Sequence, residues 1–184
     1  MVKFCVKYFN MSRMAKKQLK VLDGIKISNV DGGIVVSNSI GHVMIDTKNL
    51  VQVVLDDGVS FKSVSEYNDG MLGTVYVLVK NAMEDLTNGY VANLKMVGVG
   101  FKACVSGNFL RLYIGLSHDV FVAIPGGLSV SVDGDVNIKV SGHDRTTVMQ
   151  FARVIRDLKK PEPYKGKGIF LNNENVVRKE GKKK

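Results

Sequence analysis

Four groups of residues in this 184-residue chain have types and spacings that chemistry could use. Gly98, Gly100 and Ala103 spell Gly-x-Gly-x-x-Ala, with Asp119 further on. That spacing lets backbone approach a pyrophosphate, but only when a strand precedes it and a helix follows. Here Cys104-Val105-Ser106 runs into a Gly107-Asn108 turn and another alternating segment, so no dinucleotide site is expected. The glycines instead suit a bulge or a close backbone approach. His42, His118 and His143 are the candidate general bases. No serine, cysteine or carboxylate pattern joins them into a constellation. Asp56-Asp57 and Glu84-Asp85 are adjacent pairs, and neighbours in sequence do not face each other on a strand or a helix, so no paired-carboxylate site is expected. Cys5 and Cys104 have no CxxC or CxxH companion, so neither a metal site nor a disulfide framework is expected.

The fourth group is Arg153–Ile169, RVIRDLKKPEPYKGKGI. Arg153, Arg156, Lys159 and Lys160 crowd what reads as a helix C-terminus, where cations complement the dipole. Pro161 and Pro163 forbid continuation of that helix. Tyr164, Lys165, Gly166, Lys167 and Gly168 then place charge beside bare backbone. Lysines neutralise phosphates, side-chain-free glycines allow close approach, and a tyrosine face stacks on a base or ribose. Nucleic-acid binding is the chemistry this group supports.

Charge placement agrees. The net charge of +9 is uneven: residues 1–20 hold six basic groups and no acid. Residues 21–142 hold eight basic and twelve acidic groups, and residues 143–184 hold twelve basic and five acidic. An acidic body with basic ends favours a polyanionic partner. No apolar run approaches 18 residues, so a membrane partner is not expected. Hydrophobic content of 45% supports real cores.

The elements that hold these groups read as two copies of one unit. In the first, Ile25 and Ile27 alternate, Asp31-Gly32-Gly33 turns, and Ile34-Val35-Val36 follows as a strand. His42–Asp46 alternates, Asp56-Asp57-Gly58 turns, and a helix runs from Asn68-Asp69-Gly70 to about Asn88. Leu72, Val75, Tyr76, Val79 and Met83 form its apolar stripe, widened by Val77, Leu78 and Ala82, so the helix is expected to be largely buried. In the second, Val97–Ala103 reads as a strand, as do Phe109–Ile114, Val120–Ile124, Leu128–Val132 and Val136–Val140. Asp144 then precedes a helix to about Lys159, with Val148, Phe151, Ala152 and Ile155 inward.

An offset of 76 aligns the halves without gaps, placing Ile34 on Leu110, His42 on His118, and Leu72, Val75 and Val79 on Val148, Phe151 and Ile155. The expected fold is therefore α+β: two tandem duplicated domains, each a small antiparallel sheet packed against one helix. The expected divisions are a basic N-terminal extension (1–20), a first repeat domain (21–88), a second (89–160) and a basic RNA-binding C-terminal tail (161–184). The second copy carries the basic helix end, so it is expected to do most of the RNA work, with the first as a strut facing proteins.

The nonamer Pro161–Ile169, PEPYKGKGI, closely resembles the C-terminal signature of the bacterial-type large-subunit ribosomal protein six family. The likeness extends over Ser12 to Lys184, through Met11-Ser12-Arg13 and Lys16, Leu94–Ala103 (LKMVGVGFKA) and Ser117-His118. Residues 1–10 then stand before the usual start as an extension, a targeting segment or the product of an upstream start codon. The chain departs from the family pattern at Gln18 and Asp119, where proline is usual, and at Met149, where glycine is common. Phe170-Leu171-Asn172 replaces an often basic segment.

The resemblance implies a non-catalytic constituent of the large ribosomal subunit, bound to 23S-type ribosomal RNA near the factor-binding stalk base and the sarcin–ricin region. It implies neighbouring large-subunit proteins and translational GTPases nearby, no cofactor, no metal and no small-molecule substrate. The location it implies is the ribosome of a bacterial cytoplasm or an organelle matrix. It assigns RNA contact to Arg156, Lys159, Lys160, Tyr164, Lys165, Gly166, Lys167 and Gly168, and at the junction to Lys95, Gly98, Lys102, Ser117 and His118. The alternative reading is a free RNA-binding or RNA-remodelling protein.

Overall fold

A computed structural model describes residues 19–55, 59–63, 69–172 and 174–181. The chain divides into two compact units, Met1–Asn88 and Gly89–Lys184. Most of the N-terminal extension, the Asp56-Asp57-Gly58 turn, Asn68 and Cys5 lie outside the described residues.

The first unit runs β1 (Lys26–Val30), β2 (Gly33–Ser37), β3 (His42–Asp46), β4 (Val51–Leu55), β5 (Val59–Ser63) and α1 (Asp69–Asn88). Strands β1-β2-β3 form one antiparallel sheet and β4-β5 another. Leu19 exchanges backbone hydrogen bonds with Val59 at 3.0 and 2.9 Å and is buried, so the end of the basic extension is tied into this unit. Alternation decides the faces: Ile34 and Val36 of β2 are fully buried against Leu72, Val75, Val79 and Met83 of α1. Each such side chain contributes about 1.5–3 kcal/mol relative to exposure. Val77 and Leu78 correct the sequence reading. They stand 38% and 43% exposed, because the buried stripe follows Leu72, Val75, Tyr76, Val79, Ala82, Met83 and Leu86 at helical spacing and leaves them outside.

The second unit runs β6 (Tyr90–Val97), β7 (Lys102–Ser106), β8 (Phe109–Tyr113), β9 (Val120–Ala123), β10 (Leu128–Asp133), β11 (Asn137–Gly142), α2 (Arg145–Leu158) and β12 (Gly168–Leu171). Its sheets are β7-β8-β9 and β10-β11-β6-β12, all antiparallel. The fold is α+β as expected, and among the described residues each unit has its antiparallel strands in two sheets beside one helix. The expected strand Val97–Ala103 is instead the end of β6, a turn, and the start of β7. Gly100 adopts φ +77°, and Phe101 N–H donates to Gly98 O at 3.3 Å, closing the turn. The alternation of Ala92, Leu94 and Met96, all buried, makes Tyr90–Val97 a strand that the sequence reading passed over.

The duplication is visible in the register. Lys26↔Ser37 through Val30↔Gly33 in β1–β2 recur as Lys102↔Tyr113 through Ser106↔Phe109 in β7–β8, at the offset of 76. The offset then slips. Gly33 pairs with Asp46, but Phe109 pairs with Ala123, one position beyond the gap-free alignment. The connection is one residue longer: Val36↔Val43 encloses 37–42, whereas Leu112↔Val120 encloses 113–119. So His42 begins a strand while His118 sits in a loop, and the two do not superpose.

Part of the expected C-terminal tail (161–184) is built into the second unit. Gly168–Leu171 is a strand paired with β6, and Ile169 is fully buried in the second core with Ile138, Val140, Val148 and Ile155. Ile169 pairs with Met96 of β6 and is packed in the core that α2 covers, so this stretch belongs to the domain.

Candidate nucleic-acid interface

The interface is built where α2 ends. Asp144 caps the helix start, accepting from Thr146 N–H at 3.0 Å and Thr147 N–H at 3.2 Å. Burial pushes its carboxyl up, but the bonds from Thr147 and Thr146 outweigh that and leave it below its usual value. Val148, Phe151, Ala152 and Ile155 fix the helix rotation. Lys159 N–H donates to Arg156 O at 3.3 Å, and Pro161 ends the helix.

The loop that follows is closed on itself. Glu162 N–H donates to Lys167 O at 2.8 Å, and Gly166 N–H donates to Glu162 O at 3.1 Å. Ile169 N–H donates to Lys159 O at 2.9 Å, returning the chain to the helix end. Two glycines permit this. Gly166 has φ +68°, and Gly168 has φ +143°. A Cβ on Gly168 would stand 2.7 Å from Lys160 O and from Pro161 Cα. Both glycines are buried against the protein itself, so their expected place against RNA is corrected: they shape the loop from within. What the loop turns outward is Tyr164, 55% exposed, with Lys165 and Lys167.

Arg156 is also reassigned. Its Nε and Nη2 donate to the Glu174 carboxylate at 2.8 and 2.5 Å, and Nη1 reaches Asp157 at 3.3 Å. The hydrogen bonds from Arg156 hold Glu174 below the usual carboxylate range, and Glu174 in turn holds Arg156 above its ordinary value. The guanidinium is committed to fastening the segment after β12. Lys160 is exposed and 3.8 Å from Asp157, and Lys159 is half-buried.

Two cations that no motif announced join the loop. Lys179 N–H donates to Pro163 O at 2.9 Å, and the Arg178 guanidinium packs beside Gly166. Only the basic composition of the last residues hinted at them. Arg178 also lines a groove of about 580 Å3 on the second unit, with Lys95, Lys139, Asn93, Asn137 and Glu174 among its walls. Lys95 is brought there by register, opposite Phe170. Asn172, in the segment that departs from the family pattern, extends this pairing: its N–H donates to Asn93 O, and Asn93 N–H donates to its Oδ1, both at 2.8 Å.

The junction residues gather nearby in part. Val97 pairs with Gly168, so the turn after β6 begins beside the loop before β12. A Cβ on Gly98 would stand 2.9 Å from the Phe101 ring, and one on Gly115 would stand 3.3 Å from the same ring. Phe101 therefore joins the Gly98 turn to the loop carrying Ser117 and His118, which are exposed, with Ser117 Oγ 3.3 Å from His118 Nδ1. Lys102 is exposed on β7 opposite Tyr113. The Gly98 turn leads into a strand and not a helix, so it lacks the frame that a pyrophosphate needs. Among the described residues no group of His, Cys, Asp and Glu is placed to hold a metal ion, and no helix is long and apolar enough to cross a membrane.

The family model described as Ribosomal protein L6 matches residues 97–170. A protein named large ribosomal subunit protein uL6 from Nautilia profundicola is 38% identical over 175 residues, 94% of this chain and 98% of the relative. The protein of that name from Campylobacter hominis is 40% identical over 176 residues, again 94% and 98%. That from Methylocella silvestris is 39% identical over 178 residues, covering 95% of this chain and all of the relative.

Proposed function

The chain belongs to the ribosomal protein L6 family, and from that membership we propose that it is a structural constituent of the large ribosomal subunit that binds 23S-type ribosomal RNA. The family is structural and not enzymatic. The finer reading places the protein near the factor-binding stalk base and the sarcin–ricin region. There it braces RNA helices beside neighbouring large-subunit proteins, where translational GTPases dock, in a bacterial or an organellar ribosome.

The observation that carries the reading is the closed 161–168 loop. Two backbone hydrogen bonds close it and a third, from Lys179 N–H to Pro163 O, braces it, so Lys165, Lys167 and Tyr164 are presented on a preformed surface. Preorganisation reduces the ordering entropy lost on binding. Lys160, Arg178 and Lys179 add charge around it, and such a surface reads phosphate spacing and RNA shape more than sequence.

Co-sedimentation with large subunits through a high-salt wash, followed by crosslinking from Tyr164–Gly168, tests this. Retention with crosslinks to large-subunit RNA supports the role. Release in the wash, with crosslinks scattered over unrelated RNAs, would instead favour a free RNA-binding protein.

A further inference from the structure

The outer face of the β7-β8-β9 sheet carries a chemistry that differs from that of the 161–168 loop. Along β8, Leu110 and Leu112 point into the core and are fully buried. The alternate residues Phe109, Arg111 and Tyr113 therefore share the opposite face. Register places Phe121 of β9 directly across from Arg111, and Lys102 of β7 across from Tyr113. Phe109 is 50% exposed and Phe121 is 58% exposed. The Arg111 guanidinium carbon lies 4.9 Å from the Tyr113 ring centre and 5.4 Å from that of Phe121. Asp119 accepts from its Nε at 3.1 Å and its Nη2 at 2.5 Å, which fixes the orientation of the plane.

The duplication supplies an internal comparison. At the offset of 76 the first unit has Gly33 for Phe109, Val35 for Arg111 and Ser37 for Tyr113. Across from Val35, at the register position of Phe121, stands Met44. The scaffold alone therefore does not require these side chains. The second copy alone carries planar rings and a guanidinium there, the guanidinium paired with Asp119, while Lys102 has its counterpart in Lys26.

We propose that this face is a stacking platform for unpaired nucleobases of RNA, Phe121 and Phe109 taking the bases while Lys102 meets the adjoining phosphate. Ring–base stacking accepts every base, and with Arg111 held by Asp119 it is Lys102 that supplies the positive charge complementing the phosphodiester. The inference rests on the RNA-binding reading above but uses a surface separate from the 161–168 loop.

The test uses the full chain, a short single-stranded oligoribonucleotide of mixed sequence, and the same strand with abasic residues. Phe121→Ala and Phe109→Ala should each weaken binding of the ordinary strand by about tenfold and leave the abasic strand unaffected. Phe121→Tyr should bind as wild type, and Phe121→Leu should behave as Phe121→Ala. Thermal melts check that each variant is folded. Aromatic variants that bind the ordinary strand as wild type, or that lose equally on both strands, overturn the platform. So does a Phe121→Ala protein with intact RNA affinity whose large subunits lack a protein neighbour, since the face then docks protein. Failure to sediment with large subunits, with the aromatic effect intact, sinks the ribosomal reading and leaves the platform standing.

Discussion

Arg156 on α2 and Glu174 beyond β12 form a two-point ion pair, with N–O distances of 2.8 and 2.5 Å. The pair fastens the segment whose Lys179 N–H reaches Pro163 O and whose Arg178 packs on Gly166. It therefore governs where these two cations stand beside the 161–168 loop.

Glu174→Gln should loosen residues 174–181 while the domain stays folded, at a cost below about 1 kcal/mol for a pair this near solvent. Limited proteolysis should cut the variant after β12 sooner than wild type. The pH sign follows from the carboxyl, which the pair holds below its ordinary value. Its contribution is present above the usual Glu range and is lost as pH falls through the lowered folded value. Wild-type protection should fall toward that of Glu174→Gln only in that acid range.

Lys165→Ala with Lys167→Ala should leave the thermal melt unchanged, because both side chains are exposed. Each lost phosphate contact removes about 0.7–0.9 from the log–log salt slope, so the pair should flatten it by about one to two units. A salt titration against a large-subunit RNA fragment measures this. An unchanged slope and affinity would mean that these lysines are merely solvated.

Gly168→Ala should destabilise the second unit by about 2 kcal/mol or more, since its Cβ would strike Lys160 O and Pro161 Cα at a left-handed φ. Urea unfolding reads the loss, and RNA affinity should fall with the folded fraction. A fully stable variant with weakened RNA binding would instead return Gly168 to the RNA surface.

Gly98→Val should also damage folding, because its side chain would meet the Phe101 ring. Gly100→Ala should cost less, about 1 kcal/mol, since only its positive φ of 77° is strained and its surroundings are open. Neither change should alter dinucleotide affinity, which should be undetectable in the wild type by calorimetry. Measurable binding abolished by Gly98→Val would revive the nucleotide reading.

Much of this was legible locally. Asp144 as a helix cap, the inward set Val148, Phe151, Ala152 and Ile155, and the α+β repeat depend on periods of 2 and 3.6 and on turn residues. Those signals sit within a few neighbours of each other in the chain. The family was legible in PEPYKGKGI because a proline-bounded Lys/Gly loop is a specific local pattern.

The rest depended on partners that only the folded chain brings together. Whether Gly166 and Gly168 face RNA or the protein is set by Arg178, Lys160 and Pro161, which pack against them only after folding. Whether Arg156 is free for phosphate is set by Glu174, eighteen residues on. Ile169 became core because β6 offered an open edge and α2 an unfilled side, neither of which a linear pattern records. The aromatic face of β8 and β9 emerged in the same way. Alternation marked Phe109, Arg111 and Tyr113 as outward, but only the cross-strand register, slipped by one residue from the first copy, set Phe121 beside Arg111.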